Sequence, residues 1–304
     1  LFCLDTVMID IVMKISSIPA SGSDVLAREH LVTTGGGYNA MSAAARQDMS
    51  VVYAGRLGTG PYSEIARTSL ERDHIVTPVE PHGDLDNGFC VVLLDDGGER
   101  TFITSRGAEG TLRESDLAAL DVCPCDYVLV SGYNVMDQGS GEVVVPWLSQ
   151  LPSSVVLAFD PSNRVLEIPT EFLEPVLARC DWLLCNESEA AKLTGMGSPA
   201  QSSIDLGARC GRRGVVVRHG ATGCTVALAG EPPVQIEGFV TTVIDTNGAG
   251  DVHNGVFLAE CAMGGDVIDA ARRANAAAAM AIAVLGPASG PPKDVITQWM
   301  HHQG

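Results

Sequence analysis

Apolar positions open the chain: Phe2, Leu4, Val7, Ile9, Ile11 and Val12 alternate or run together in a way that suits strands across residues 1–15. A glycine-rich turn over Thr33 to Gly37 leads into an alanine-rich helix from Asn39 to Gln47. Val51 to Ala54 reads as a buried strand. Ser63 to Asp73 reads as a helix, with Ile65, Ala66 and Leu70 apolar. Phe89 to Leu94 and Arg100 to Thr104, joined by Asp95-Asp96-Gly97-Gly98, predict a β-hairpin.

Beyond Asp116 the pattern changes to short apolar runs at Tyr127–Val130, Val155–Phe159, Trp182–Cys185 and Val215–Val217. Helical segments near 141–150, 170–179, 187–194 and 202–211 separate them. Such alternation predicts an α/β fold with a mostly parallel central sheet and helices on both faces. A further helix is expected from Val252 to about Met263, and an apolar stripe marks another from Val267 to Leu285. No Pro/Gly/Ser linker or internal repeat divides the chain. It reads as a single domain over 1–304, with a small β excursion from its N-terminal half.

Composition narrows the function. Of 304 residues, 46% are hydrophobic and 18% charged, as in a soluble globular protein with a sizeable core. A formal net charge of -18 argues against nucleic-acid binding, which needs clustered Lys and Arg. An anionic nucleotide would need local help from backbone dipoles, a metal ion and a few basic side chains. No apolar run is long enough to span a membrane, so a cytoplasmic location is expected. The nine cysteines include one close pair, Cys123 and Cys125, with no partners to complete a zinc site, and most are expected to be small buried residues. The chain starts at Leu1 without an initiator Met, which leaves its true beginning open.

The most telling stretch is Asp245-Thr246-Asn247-Gly248-Ala249-Gly250-Asp251, just before a helix. Small residues delivered to a helix start let anionic oxygens reach its free N–H groups. Asp251 at that junction can take a proton from an attacking hydroxyl, or serve as the helix N-cap. Ligands of doubly wound sheets lie beyond the carboxyl ends of the strands. Asp160 and Arg164, Asn186 and Glu189, and His219-Gly220 all follow predicted strands. Asn186 also reads as an ordinary helix N-cap. The Walker A and dinucleotide fingerprints are absent, and Gly35-Gly36-Gly37-Tyr38-Asn39 fits neither.

In this order the motifs resemble the ribokinase-like carbohydrate kinases, the PfkB family. Asp245–Asp251 matches the C-terminal signature, and Gly35–Asn39 with Val51–Gly58 is similar to the N-terminal one. Asn186-Glu187-Ser188-Glu189 looks like the family's Asn-x-x-Glu motif, and Asp160–Arg164 is a family-like turn. The resemblance implies a ribokinase-like fold with a small β-sheet lid, formed by about 11–34 and 86–107. It implies transfer of the γ-phosphate of ATP to a hydroxymethyl group. Asp251 is then the base, and Gly248, Ala249 and Gly250 supply N–H groups to the transferring phosphoryl group. Asp10, Gly36 and Asn39 would bind the sugar. Asn186 and Glu189 would organise Mg²⁺ through its waters. Gly220 and Gly223 resemble the nucleotide loop, and Asn275 lies near the adenine. Asp245, with carbonyls at Asn247 and near Gly286 to Gly290, corresponds to a monovalent-cation site, for K⁺. The edge of the lid sheet invites a homodimer.

The chain departs from the family at His253, where an aromatic is common, at Asp5, where a glycine is usual, and at Tyr133, where ribokinases carry an acidic residue. The glycine turn lacks the Lys of sugar-phosphate kinases. That missing Lys and the net charge of -18 imply an unphosphorylated acceptor: a pentose, a ketohexose or, through Arg164, a sugar acid. Arg164 reads equally as an ion-paired turn residue. The alternatives are a nucleoside kinase and a non-catalytic sugar or nucleotide sensor.

Overall fold

A computed structural model describes every residue except Gly98, Ala288 and Gly304, so one position of the expected hairpin turn and one of the expected 286–290 carbonyls lie outside it. In chain order the strands are β1 (Phe2–Leu4), β2 (Val7–Lys14), β3 (Glu29–Gly36), β4 (Val52–Tyr53), β5 (Phe89–Leu94) and β6 (Arg100–Ser105). They continue with β7 (Tyr127–Ser131), β8 (Val156–Asp160), β9 (Trp182–Asn186), β10 (Gly214–Arg218), β11 (Cys224–Leu228) and β12 (Val234–Ile236). The helices are α1 (Tyr38–Ala45), α2 (Pro61–Arg72), α3 (Glu114–Ala118), α4 (Gly132–Met136), α5 (Gln138–Gln150) and α6 (Thr170–Arg179). Then follow α7 (Glu187–Thr194), α8 (Pro199–Arg209), α9 (Ala249–Ala262), α10 (Val267–Ala281) and α11 (Lys293–Gln303).

The main sheet has eight strands in the order β12-β11-β10-β9-β8-β7-β1-β4. From β4 to β10 neighbours run parallel, and β11 is antiparallel to both β10 and β12. The apolar runs explain this burial on both faces. Successive side chains of a strand point to opposite sides. Leu129, Leu184 and Val216 therefore enter the core shared with α1, α9 and α10. Their neighbours Val128, Val130, Leu183, Val215 and Val217 enter a second core on the other face, with α5 and α6.

Four other strands form a separate sheet in the order β3-β2-β5-β6. The expected hairpin is present as the antiparallel β5–β6 pair. The first 15 residues divide between the two sheets: Phe2–Leu4 belongs to the main sheet and Val7–Lys14 to the small one. Asp5-Thr6 is the junction. The small sheet thus starts four residues before the expected boundary at Ile11.

Two helix boundaries also differ from expectation. The helix of the C-terminal motif starts at Ala249 rather than Val252, because Gly248 adopts a left-handed conformation (φ 75°) that caps it. The long alanine-rich helix ends at Ala281, short of Leu285. Helix α9 packs closely on α1. At Gly255 an added Cβ would lie 2.2 Å from the carbonyl oxygen of Ala40, so only glycine permits this approach. Among the described residues no helix is long and apolar enough to cross a membrane.

Candidate active site

The strand order reverses between β1 and β7, since the chain lays β4 on one side of β1 and β7 through β10 on the other. Crevices form at such switch points. Asp5 follows β1, and Ser131, Asp160, Asn186 and Arg218 end β7, β8, β9 and β10. Ser131 pairs in register with Asp160, and Asn186 with Arg218. All five line one cleft of about 750 Å³, which Gly248 to Asp251 close from the opposite wall.

Asp251 is the third residue of α9, so it is not the N-cap, a role taken by Gly248. Gly248 has no side chain to accept from the first-turn N–H groups; that of Ala249 reaches the Thr246 carbonyl oxygen at 3.4 Å, and those of Gly250 and Asp251 suit a ligand. The Asp251 Oδ2 accepts a hydrogen bond of 3.0 Å from Asn39 Nδ2. Desolvation raises the Asp251 carboxyl to about 6; the Asn39 bond opposes this, the Asp160 charge adds to it, and Arg218 opposes it. Asn39 is only 2% exposed and its Oδ1 has no partner. It lines the cleft, but its amide nitrogen is committed to Asp251.

Asp10, on β2, projects into the same cleft. Burial is the main reason its carboxyl is raised to about 6, against the hydrogen bond from Asn247 Nδ2 at 3.3 Å. Thr33 to Gly36 belong to β3 rather than to the expected turn, and a Cβ on Gly35 would lie 2.3 Å from Asp10 Oδ2, so the glycine leaves room for that carboxylate. Gly36 lines the cleft beside Asn39. Asp5 occupies the junction of the two sheets. Burial and then the Asp251 charge push it up to about 8, although the Thr6 N–H and the Ser131 side chain favour its ionised form. Tyr133 also lines this end and donates through its hydroxyl to Asn163 Oδ1 at 3.1 Å.

At the other end, Asn186 and Glu189 form a reciprocal cap of α7: Asn186 Oδ1 accepts from the Glu189 N–H, and Glu189 Oε2 from the Asn186 N–H. The ordinary N-cap reading of Asn186 therefore holds alongside its position in the cleft. Burial and the charge of Asp160 raise Glu189 to about 7, with Arg218 opposing. Arg218 donates to Asp160 Oδ2 at 3.2 Å and to Asn254 Oδ1, and lies 3.8 Å from Glu189. A Cβ on Gly250 would sit 3.4 Å from its Nη2. Gly220, Gly223 and Asn275 are not part of the cleft lining. Gly223 (φ 98°) and Asn275 instead converge on the end of β12, where Asn275 Nδ2 donates to the carbonyls of Ile236 and Glu237.

Asp245 is 3% exposed, with protein donors on both carboxylate oxygens. Its Oδ1 accepts from Arg100 Nη2 at 2.5 Å and from the Asn247 N–H at 2.9 Å, and its Oδ2 from the Gly286 N–H at 3.0 Å. Arg164 pairs with Glu167 in a bidentate contact, as its turn reading implied. His253 is buried against Phe257, and burial followed by the Arg218 charge pushes it down to about 3. A neutral ring thus takes the aromatic position.

Arg218, Asn254 and Arg100 escaped the sequence reading. Asn254 stands three residues after Asp251 on the same helix face, a usable signal. Arg218 ends an apolar strand immediately before His219, a position that attracted attention only for its neighbours. His219 is structural: its ring bonds Glu187 and Thr225.

The profile of the pfkB family carbohydrate kinases matches residues 1–294. The chain belongs to that family. This kinase is 29% identical over 301 residues to an uncharacterised sugar kinase of Escherichia coli, YegV, with 94% of this chain and 89% of that protein covered. Its fold is that of Thermotoga maritima ribokinase, at a TM-score of 0.84, 22% identity and coverage of 99% and 98% of the two chains. It likewise matches Arabidopsis thaliana ribokinase complexed with ribose and ATP, at a TM-score of 0.79, 22% identity and coverage of 98% and 97%.

Proposed function

We propose that this carbohydrate kinase transfers the γ-phosphate of ATP to a hydroxymethyl group of an unphosphorylated sugar, a pentose or a ketohexose. The observation that carries this reading is the Asp251 carboxylate, held by Asn39 beside a helix start with no side-chain cap, in a cleft rich in polar side chains. Asp251 takes the proton of the acceptor hydroxyl. The freed oxygen bonds to the γ-phosphorus while the bond from that phosphorus to ADP breaks. Gly248, Ala249 and Gly250 supply N–H donors to the transferring group, whose catalysis is mostly positioning and charge stabilisation.

Asp10, Gly36 and Asn39 form the sugar end. Neutrality of the acceptor is supported by the cleft arginines. Arg106 is ion-paired with Asp137, Arg164 with Glu167, and Arg218 with Asp160. A phosphorylated or carboxylated acceptor would have to break one of these pairs. Mg²⁺, when bound, neutralises charge between the phosphates, and Glu189 and Asn186 would hold it through its waters. A buried carboxyl raised to about 7 suits that role, since a divalent ion drives it to ionise. Gly220 and Gly223 form the nucleotide loop beyond Arg218, and Asn275 shapes its wall. The four-stranded sheet acts as a lid. Val32 and Ile103, in one register row across it, are 44% and 59% exposed, which supports pairing of two lids in a homodimer.

The test is a panel of sugars and nucleosides screened for ADP release with ATP and Mg²⁺, repeated with Asp251→Asn. One or more free sugars should be turned over by the wild type and not by the variant. Preference for a nucleoside, sugar binding without ADP production, or a folded Asp251→Asn protein that retains substantial turnover would each refute the reading.

A further inference from the structure

We infer that the Arg100 guanidinium is the built-in cation of the phosphate loop, standing where a monovalent ion would balance Asp245, so that this kinase needs no added K⁺. The inference rests on the phosphotransfer reading given above. A carboxylate as enclosed as Asp245 needs a compensating charge or a full set of donors. Arg100 provides the charge. Its Nη2 meets Asp245 Oδ1 at 2.5 Å, and its Nη1 meets Thr246 Oγ1 at 2.8 Å. Among the described residues the other donors occupy both carboxylate oxygens and reduce what an ion could bind. Gly286 turns its N–H, not its carbonyl, toward Oδ2. The carbonyl of Gly290 accepts from Arg46 Nη1 at 2.8 Å. A second cation beside the guanidinium would meet like-charge repulsion in a partly desolvated place.

Arginine suits the position because it stays charged at any working pH and its planar fork serves two acceptors together. Its anchorage matters equally. Arg100 begins β6, paired with Leu94 at the turn end of the hairpin, whereas Asp245 and Thr246 open the loop that ends in Asp251. The charge that orders the loop is therefore tethered to the small sheet. Arg100 is a positioning residue that ties the geometry of Gly248 to Asp251 to the seating of that sheet, rather than to the salt in solution.

The test compares wild type, Arg100→Gln and Arg100→Lys in KCl and in tetramethylammonium chloride at equal ionic strength. Wild-type kcat should agree within about twofold between the two salts, since only general screening is shared. Arg100→Gln should lose about tenfold or more in kcat in tetramethylammonium chloride, as a charged contact to Asp245 and a hydrogen bond to Thr246 are removed. Potassium should restore part of that loss, and Arg100→Lys should keep most of the wild-type rate in either salt. Thermal unfolding without substrates provides a readout independent of turnover. The wild-type Tm should differ by less than about 1 °C between the salts, while Arg100→Gln should gain a K⁺-specific rise. Saturable activation or stabilisation of the wild type by K⁺ overturns the inference. So does an Arg100→Gln protein with an unchanged rate, or one slowed and rescued by neither K⁺ nor Lys. If no sugar is turned over at all, the phosphotransfer reading fails, and the unfolding comparison still decides whether K⁺ binds. If Arg100→Gln does not fold, the wild-type and Lys arms decide.

Discussion

Asn39 Nδ2 donates to Asp251 Oδ2 at 3.0 Å, joining residues 212 positions apart across the α1–α9 contact. The bond favours the ionised carboxylate, against the desolvation that raises Asp251 to about 6. A general base must be ionised to act. We therefore expect kcat/KM to fall on the acid side of about pH 6, approaching tenfold per pH unit. Asn39→Leu removes the donor, so its acid limb should lie at higher pH than that of the wild type. Full pH–rate profiles of both proteins check this. An acid limb that stays in place or moves down would show that Asn39 does not tune the base.

Gly255 controls the same geometry from a distance. Its missing Cβ would press 2.2 Å from the Ala40 carbonyl oxygen and 2.9 Å from the Ala43 Cβ. Neither is the end of a flexible side chain, so Gly255→Ala must move α1 away from α9. Overpacking of this kind costs about 1–3 kcal/mol, only partly offset by the better helix propensity of alanine, worth about 1 kcal/mol. Denaturant unfolding should show the loss. Kinetics should show kcat falling more than KM rises, because Asn39 and Asp251 separate while Asp10 stays in place. A variant as stable and fast as the wild type would mean that the helix contact does not set the catalytic distance.

Arg218 offsets Asp160 and Glu189 at the strand ends, at 3.2 and 3.8 Å. Its side chain is 12% exposed, and that of Glu189 6%. Replacing it with Ala leaves Asp160 without its cation and forces Glu189 either to stay charged unpaired or to take up a proton. The expected loss is about 3 kcal/mol at neutral pH, most of it the cost of uncompensated charge. Acidification should narrow the difference, because Glu189 without Arg218 binds its proton more tightly than in the wild type. Arg218→Lys should lose less, keeping the charge but not the fork that reaches both Asp160 and Asn254. Unfolding free energies measured at several pH values would decide it. A difference that widens toward acid would rule out the electrostatic explanation.

Much of this architecture was legible because burial on both faces leaves a plain trace. Runs such as Tyr127–Val130 and Trp182–Cys185 can only be inner strands, and their polar ends then mark the cleft. Asp251 stood out as a carboxylate following small residues at a helix start, whereas Asp10 and Asn39 entered only through the family resemblance, and the structure brings all three to one cleft. What stayed hidden depends on contacts remote in sequence. Arg100 looks like any solvated hairpin arginine until Asp245 is brought to it, and Arg218 like any strand-end cation until Asp160 and Asn254 converge. The division of residues 1–15 was equally hidden, since Asp5-Thr6 carries neither glycine nor proline to announce a change of sheet. The start of α9 was misplaced for a related reason: Gly248, Ala249 and Gly250 have almost no side chains with which to signal a helix.

Asp5 links the site to stability in a direction opposite to that of most acidic residues. Its folded-state carboxyl is raised from 3.8 to about 8, chiefly by burial and then by Asp251. Between about pH 4 and pH 8 the native state holds this proton while the unfolded chain has released it. The native state therefore binds more protons, and the contribution of Asp5 to stability falls as pH rises, by at most about 1.4 kcal/mol per pH unit. Asp5→Asn mimics the protonated acid and removes this dependence. The variant should differ little from the wild type near pH 4 and become progressively more stable than it up to about pH 8, where the gain levels off. Chemical denaturation of both proteins from acid to mildly alkaline pH measures the difference directly, free of the titrations they share. A gap that is constant with pH, or a wild type that gains on the variant as pH rises, would show that Asp5 is ionised in the folded protein.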